Sequence, residues 1–552
     1  MTRSLTGCAV AVAMVVLLAS CGSPPAPEPE PAPASDINPV AAQRLSDGGE
    51  LRIAVTNLGG TWNPLHAERP SRERDQLRRA FLPTLFDVDT AGVLSPDPDF
   101  LASVDVAPGP PGQVTWQLNE DAVWADGAPI VAEDAIATWR ACNGERPEFR
   151  CASDLGFDQI TDVSQGSSPK QVKVTYAGST ADWQRPWSHG LLRAASVKDP
   201  QTFNDGWASM RPEWTAGPFT PSGQEPAALF LDRSEKWWGT PPRLSRISLS
   251  TVDAAGGAKG FGDHLLDVLP AEDPDTQADV REQPGGTIRM ALSGAYRRLI
   301  FNTTAGPLSD PAVRRAIMLS IDPVAVGRAA FPDTGYQPLP MDSQFYGRHQ
   351  GQWVDTAAQA GVRLDREEAQ RVLDRAGWRP GPDGVRVKDG QPLVIRATRI
   401  AGLITSEVEA VELQRELSGV GISVQIEEAS IEELADGSLL SGGNFGVVGI
   451  TADTSPFPLD GLDARFGSGG EQNFSQLAMP EADRLIGELS AASDPAQRVE
   501  LSRQLEAVLW EQAPSMPLYQ LPQLVGARDL VANYGAPGQA SVDWTAVGLI
   551  AG

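Results

Sequence analysis

Histidine and cysteine are scarce, with four of each in 552 residues. His66, His189, His264 and His349 stand apart, and no HExxH pair is present to hold a zinc ion. No GxSxG elbow presents a nucleophilic serine, and no GxxxxGK loop cradles a phosphate. The stretch GGAKGFG from Gly256 lacks that spacing and reads as a flexible loop. With no constellation for chemistry, the expectation is a protein that is not an enzyme and has no cofactor or metal site. Positive charge is also in short supply: 45 Lys and Arg face 71 Asp and Glu, a net charge of -26. That excludes a general basic surface for nucleic acid or anionic lipid and favours solubility.

Beyond the N-terminus no segment is apolar for long enough to cross a bilayer. Near the start, Arg3 precedes an apolar run, Val10 to Leu18, that is too short to span. Leu18-Ala19-Ser20-Cys21 follows and resembles a bacterial lipobox. It implies a signal peptide over residues 1–20, a diacylated Cys21, and a mature chain anchored to the extracytoplasmic face of the membrane without spanning it. Residues 21–49 are rich in Pro, Ala and Glu and read as an extended tether. Cys8 lies in the signal, so only Cys142 and Cys151 remain, in CNGERPEFRC. An oxidising compartment favours a local disulfide between them, of roughly 3 kcal/mol by chain entropy. Free buried thiols or metal ligands are the alternatives, and no CxxC motif or His cluster supports them.

What is present is ordinary globular material: 41% hydrophobic and 21% charged residues, in a chain long enough for two or three domains. Leu51, Ile53 and Val55 alternate as a first strand from Glu50, followed by the loop Leu58–Leu65. An amphipathic helix is expected over residues 71–86, with Leu77 and Phe81 inward. Val114, Trp116 and Leu118 share one side of a strand that leads through Asp126-Gly127 into a helix from Ala132. Trp183, Trp187, Trp207 and Trp214 could stack on a ligand but read better as core. Leu299-Ile300-Phe301 is a buried strand. Gly306-Pro307 breaks it, and Asp310 then caps a helix with Pro311 in its first turn. Asp365 caps a further helix, with Glu368 closing a capping box and Gly377 ending it. Val447-Val448 is a strand followed by a turn carrying Asp453. Two helices follow, the second capped by Asp494 and stopped by Pro514, and then a return strand at Met516–Gln520.

Four of these stretches, in this order, resemble the family 5 extracellular solute-binding proteins of peptide ABC importers. They are Trp124-x-Asp126-Gly127-x-Pro129, then Gly217-Pro218 with Trp237-Trp238-Gly239, then Asn302 with Pro307 to Ala316 and Ile321-Asp322, and finally Ala376-Gly377-Trp378. Asn119 departs from the pattern, where the family carries a basic residue. The resemblance implies an α/β, two-lobed periplasmic-binding-protein-like fold (class C, type II) with an extra subdomain in the first lobe. Lobe I would span 50–301, with the subdomain at about 75–205. Lobe II would span 302–515, and residues 516–552 would return to lobe I.

The resemblance further implies a monomer that encloses a short peptide or related solute and passes it to an ABC permease and ATPase complex. The alternative of the same fold is an envelope lipoprotein that regulates cell-wall glycolipid synthesis. The resembled aspartate after alanine, here Asp453, would sit in the cleft and pair with the peptide's α-amino group. Ile450 and Thr451 would flank it, with Ile450 where the family has an aromatic residue. Gly60 and Thr61, in the loop after the first strand, would line the same cleft.

Overall fold

The computed structural model describes residues 32–551, apart from 69–71, 108, 110 and 179. The signal sequence, the lipobox Cys21 and the first part of the tether lie outside the described residues. A ten-stranded mixed sheet runs through the molecule. Its order is Ser423–Ala429, Val394–Ile400, Val447–Asp453, Gly286–Phe301, Ser515–Arg528, Val268–Pro270, Glu50–Val55, Arg246–Thr251, Ala228–Arg233 and Phe219–Glu225. A separate four-stranded sheet holds Leu101–Ala107, Gly112–Leu118, Gln171–Tyr176 and Ile160–Gln165.

Apolar side chains gather into two principal cores. The first contains Leu51, Ile53, Trp116, Trp187, Leu231 and Ile247, and takes Ala527, Trp544 and Val547 from the C-terminal segment. The second contains Leu299, Phe301, Ile317, Leu373, Leu413 and Leu518. A smaller cluster around Phe345, Leu485 and Leu505 sits beside them. Two strands, Gly286–Phe301 and Ser515–Arg528, pair antiparallel and connect the principal cores. Their register shifts between Leu292 and Tyr296 and again before Arg298, opposite Pro522 and Pro517. Proline has no N–H for the ladder, so a bulge there is the expected local solution.

The tryptophans are core, as their composition suggested. Trp187 is fully buried, 4.6 Å from Trp116 in an edge-to-face arrangement. Its indole N–H donates to the Tyr176 hydroxyl (3.1 Å), which donates on to the Trp183 carbonyl (2.8 Å). Trp187 and Tyr176 bury their apolar bodies and still satisfy their polar tips, whereas the indole N–H groups of Trp116 and Trp207 are buried without a partner among the described residues. Cys142 and Cys151 are joined as a disulfide.

Several elements differ from the sequence reading. The helix expected over residues 71–86 is only Arg72–Arg78. The carbonyls of Ala80 and Phe81 instead accept from the N–H groups of Phe219 and Ala216, which seats the entry to another strand. Leu77 and Phe81 still point inward. Asp365 caps its helix through the Glu368 N–H (2.8 Å), but no capping box closes, because the Glu368 carboxylate accepts from Arg371 and Arg375. The tether does not extend to residue 49: Asp36 bridges Ala536, Leu45 bridges Ile550, and Ala32 is buried. Backbone pairing with the C-terminal segment holds a stretch whose own composition could not fold.

The helix Pro495–Gln512 buries a carboxylate that, among the described residues, has no cationic partner within 4.0 Å. Glu506 accepts from the hydroxyls of Ser343 (2.6 Å) and Thr356. Burial pushes its pKa from 4.5 to about 7. A folded-state pKa above the unfolded value means that the folded state holds the proton more tightly. Stability is therefore gained as pH falls from about 7 towards 4.5 and lost as pH rises through about 7. The expected span is about 3 kcal/mol. In Glu506→Gln the fall in melting temperature between pH 5 and pH 8 should be smaller than in the wild type; parallel curves would show that Glu506 does not titrate in this range.

Candidate functional site

The connecting strands put functional groups where the two cores meet. Arg297 and Arg298 are neighbours near the end of the strand Gly286–Phe301, between Tyr296 and the apolar run Leu299–Phe301, so alternation sends them to opposite faces. Arg297 is buried and makes a two-pronged contact with Glu409 of the helix Ile404–Ser418, Nε to Oε1 and Nη2 to Oε2, both 2.6 Å. Its Nη1 donates to the Thr451 hydroxyl (2.9 Å), and the Tyr519 hydroxyl donates to Glu409 (3.3 Å). Burial opposes the Arg297 charge, but the Glu409 carboxylate outweighs it and raises the arginine's pKa. Burial, and then the Glu409 charge, push the Tyr519 phenol well above its usual value. Gly449 leaves room for the pair: a Cβ there would lie 2.0 Å from Glu409 Oε2.

A cavity of about 570 Å³ opens beside this crossing. It is lined by the end of the first strand (Ile53–Thr56), by Val268–Pro270, by Ser293 and Ala295, and by Leu521–Val525. Its size suits a small organic ligand. Three carboxylates, Asp253, Glu272 and Asp273, reach its wall, and among the described residues the lining contains no Lys, Arg or His. Asp253 and Asp273 also cap helices, accepting from the N–H groups of Gly256 (2.7 Å) and Thr276 (2.8 Å). A cavity with acidic walls favours a ligand that presents a cation.

Asp453 is the last residue of the strand Val447–Asp453 rather than part of a turn, and its side chain is exposed. It stands opposite Ala295, which lines the cavity. Thr451 is exposed on the same face, opposite Arg297. Ile450 lies on the other face, opposite Arg298, half-buried against the cluster of Ile300, Val448 and Phe445. Gly60 and Thr61 do not line this cavity. Gly60 borders a second one, of about 450 Å³, with Gly59, Trp62 and Met210. It has φ +88°, which only glycine adopts without strain. Thr61 is buried; its hydroxyl accepts from the Asn63 N–H (3.1 Å), and its carbonyl accepts from Arg74. Of the five residues expected to share one ligand site, Asp453 and Thr451 share a strand face beside the larger cavity, and the other three do not.

Sequence reasoning missed Arg297, Arg298 and Glu409. A signal was present: two adjacent arginines inside Tyr296–Phe301, where the pattern demands core. Their partner Glu409 is 112 residues away and could not be read from spacing.

A sheet shared by two cores, with a cavity at their crossing, defines a two-lobed α/β binding protein. The chain belongs to the bacterial extracellular solute-binding proteins, family 5, whose middle region matches residues 105–473. It is 30% identical to the oligopeptide-binding protein OppA of Mycobacterium tuberculosis strain H37Rv over 525 residues, covering 94% of this chain and 87% of that protein. It is 24% identical to an uncharacterised lipoprotein of the same strain, with 78% and 80% covered. Among solved structures, the periplasmic EDTA-binding protein EppA superposes with a TM-score of 0.83 at 23% identity, covering 94% of this chain and 98% of that one. The family binds substrates and is not enzymatic.

Proposed function

We propose that this protein captures a short peptide between its two lobes and delivers it to an ABC permease. The observation that carries this reading is the acidic-walled cavity of about 570 Å³ beside Asp453, at the strands that join the two cores. A peptide with a free N-terminus supplies the cation such walls favour, and a carboxylate held away from bulk water makes a charge-assisted contact to an ammonium. The oligopeptide-binding relative adds to the same reading.

In this proposal residues 50–301 and 516–552 form lobe I, residues 302–515 form lobe II, and about 75–205 form a subdomain of lobe I. The two principal cores support that division except at the ends of the connecting strands, where Leu299, Phe301 and Leu518 pack into the second core. The mature chain is a monomer held to the membrane by a diacylated Cys21, which the lipobox order supports. Lobe closure about the two connecting strands would enclose the ligand.

Thermal-shift measurements with a pool of tri- to pentapeptides test the ligand class. The melting temperature should rise with the peptides. No rise with peptides, together with a rise on adding an iron(III)–EDTA chelate, would reassign the cavity to chelates.

A further inference from the structure

The strand Gly286–Phe301 has Ser515–Arg528 along one edge, but Val447–Asp453 lies along its other edge only from Ala295 onwards. Short of Ala295 that second edge would leave backbone N–H groups open. The N-terminal segment covers it. The Leu292 N–H donates to the Pro33 carbonyl (2.9 Å), and the Met290 N–H donates to the Asp36 carboxylate (3.0 Å). Ala32, only 6% exposed, packs against Leu292 and Tyr336.

The same N-terminal residues hold a second segment. Asp36 and Ala536 exchange backbone hydrogen bonds (2.7 and 3.0 Å). The Tyr534 N–H donates to the Ile37 carbonyl and the Asn533 N–H to the Asn38 carbonyl, both 3.1 Å. Gly538 has φ +69°, and a Cβ there would lie 2.1 Å from the Ala34 carbonyl oxygen, so only glycine lets the two segments seat this closely. Tyr534, Gly535 and Gly538 line the cavity of about 570 Å³, as do Ser293 and Ala295 of the connecting strand. This wall is neither helix nor ladder strand, so contacts from outside it set its position. Side chains hold it elsewhere: Arg289 donates to the Tyr534 carbonyl, and Gln523 accepts from the Gly538 N–H (3.1 Å). Asp36 joins the wall to the connecting strand directly, its backbone on Ala536 and its carboxylate on Met290.

We propose that residues 32–38 are a strap that positions this cavity wall for ligand, with Asp36 as its fastening to the connecting strand. Asp36 does not line the cavity, so it is a positioning residue that acts through Tyr534–Gly538. A ligand resting on the wall tightens the strap, and by reciprocity a loosened strap weakens the ligand by the same factor. The part of the proposal that concerns ligand rests on the peptide-capture reading; the positioning of the wall does not.

Hydrogen exchange of the intact mature chain, read by mass spectrometry, tests this. In Asp36→Ala, residues 286–292 and 533–539 should exchange at least ten-fold faster than in the wild type, while 50–55 and 311–320 stay unchanged. Asp36→Asn keeps an oxygen for the Met290 N–H and should exchange as the wild type does. Ala32→Glu forces a charge into the apolar patch, lifts the strap from its other end, and should speed exchange at 533–539 in the same way. A tri- to pentapeptide pool at saturation should slow exchange of residues 32–38 in the wild type at least five-fold, and Asp36→Ala should bind the pool at least ten-fold more weakly. Unchanged exchange at 533–539 in Asp36→Ala and Ala32→Glu, or faster exchange spread evenly over the whole chain, would overturn the strap. So would a pool that slows exchange at 521–525, leaves 32–38 unchanged and binds Asp36→Ala as tightly as the wild type; peptide capture would then stand. If the pool slows exchange nowhere, peptide capture fails, and the variants alone decide: local loosening of 533–539 supports the strap, and its absence overturns it.

Discussion

Replacing Glu409 by glutamine should lower the unfolding free energy by about 3–5 kcal/mol, the usual consequence of removing one partner from a buried ion pair. The figure follows from the surroundings of Arg297. Both side chains are almost inaccessible, at 3% and 2%, so no water can take over the lost charge. Four structural elements meet at the pair: the connecting strand through Arg297, the helix Ile404–Ser418 through Glu409, the neighbouring strand through Thr451, and the return strand through Tyr519. The double change Arg297→Met with Glu409→Leu should recover most of the loss, since apolar residues of similar volume replace such pairs at little cost. Gly449→Ala should damage the same contact sterically, because the added carbon would strike Glu409. Chemical denaturation of the four proteins checks this. A Glu409→Gln protein as stable as the wild type would remove the pair from its place as the fastening of the connecting strands.

The second large effect concerns binding. Asp453→Asn should weaken a peptide with a free N-terminus by about 2 kcal/mol, roughly thirty-fold, and leave its N-acetylated form unaffected. The value is at the low end for charge pairs because the Asp453 side chain is exposed in this structure and gains strength only where ligand and lobe closure exclude water. Its place at the end of the strand, opposite a cavity-lining residue, gives the carboxylate a route to the ligand without burying it beforehand. Calorimetry with both peptides reads the outcome. Equal affinities of the wild type and Asp453→Asn for the free-amine peptide would exclude Asp453 from the site.

Local signals in the sequence carried much of the fold. The helix capped by Asp310 and Pro311 forms as its pattern requires, with Val313, Ala316 and Ile317 buried. The pairs Asp494 with Gln497 and Asp365 with Glu368 fix two more helix starts. These features depend on residues three or four apart, so one chain suffices to read them. Two failures were local: GGAKGFG from Gly256, expected as a flexible loop, lies in the helix Ala254–Gly262 capped by Asp253, and the capping box at Asp365 does not close. The others were long-range. The expected helix over 71–86 was shortened by strand hydrogen bonds from 216 and 219. The tether was ordered by a partner near residue 536. The Ala452-Asp453 step falls on a strand whose end pairs with the cavity-lining Ala295, but strand alternation sends Ile450 to the opposite face, and the Gly60 loop borders a different cavity.

The central claim is that the cavity beside the connecting strands holds a peptide. Native mass spectrometry of the intact mature protein, incubated with the tri- to pentapeptide pool and desalted, addresses it most directly. The account predicts a one-to-one complex whose released ligand has a peptide mass, carries a free amine, and is lost from Asp453→Asn. A protein that stays bare at saturating pool, or that releases only a non-peptide mass, would contradict it.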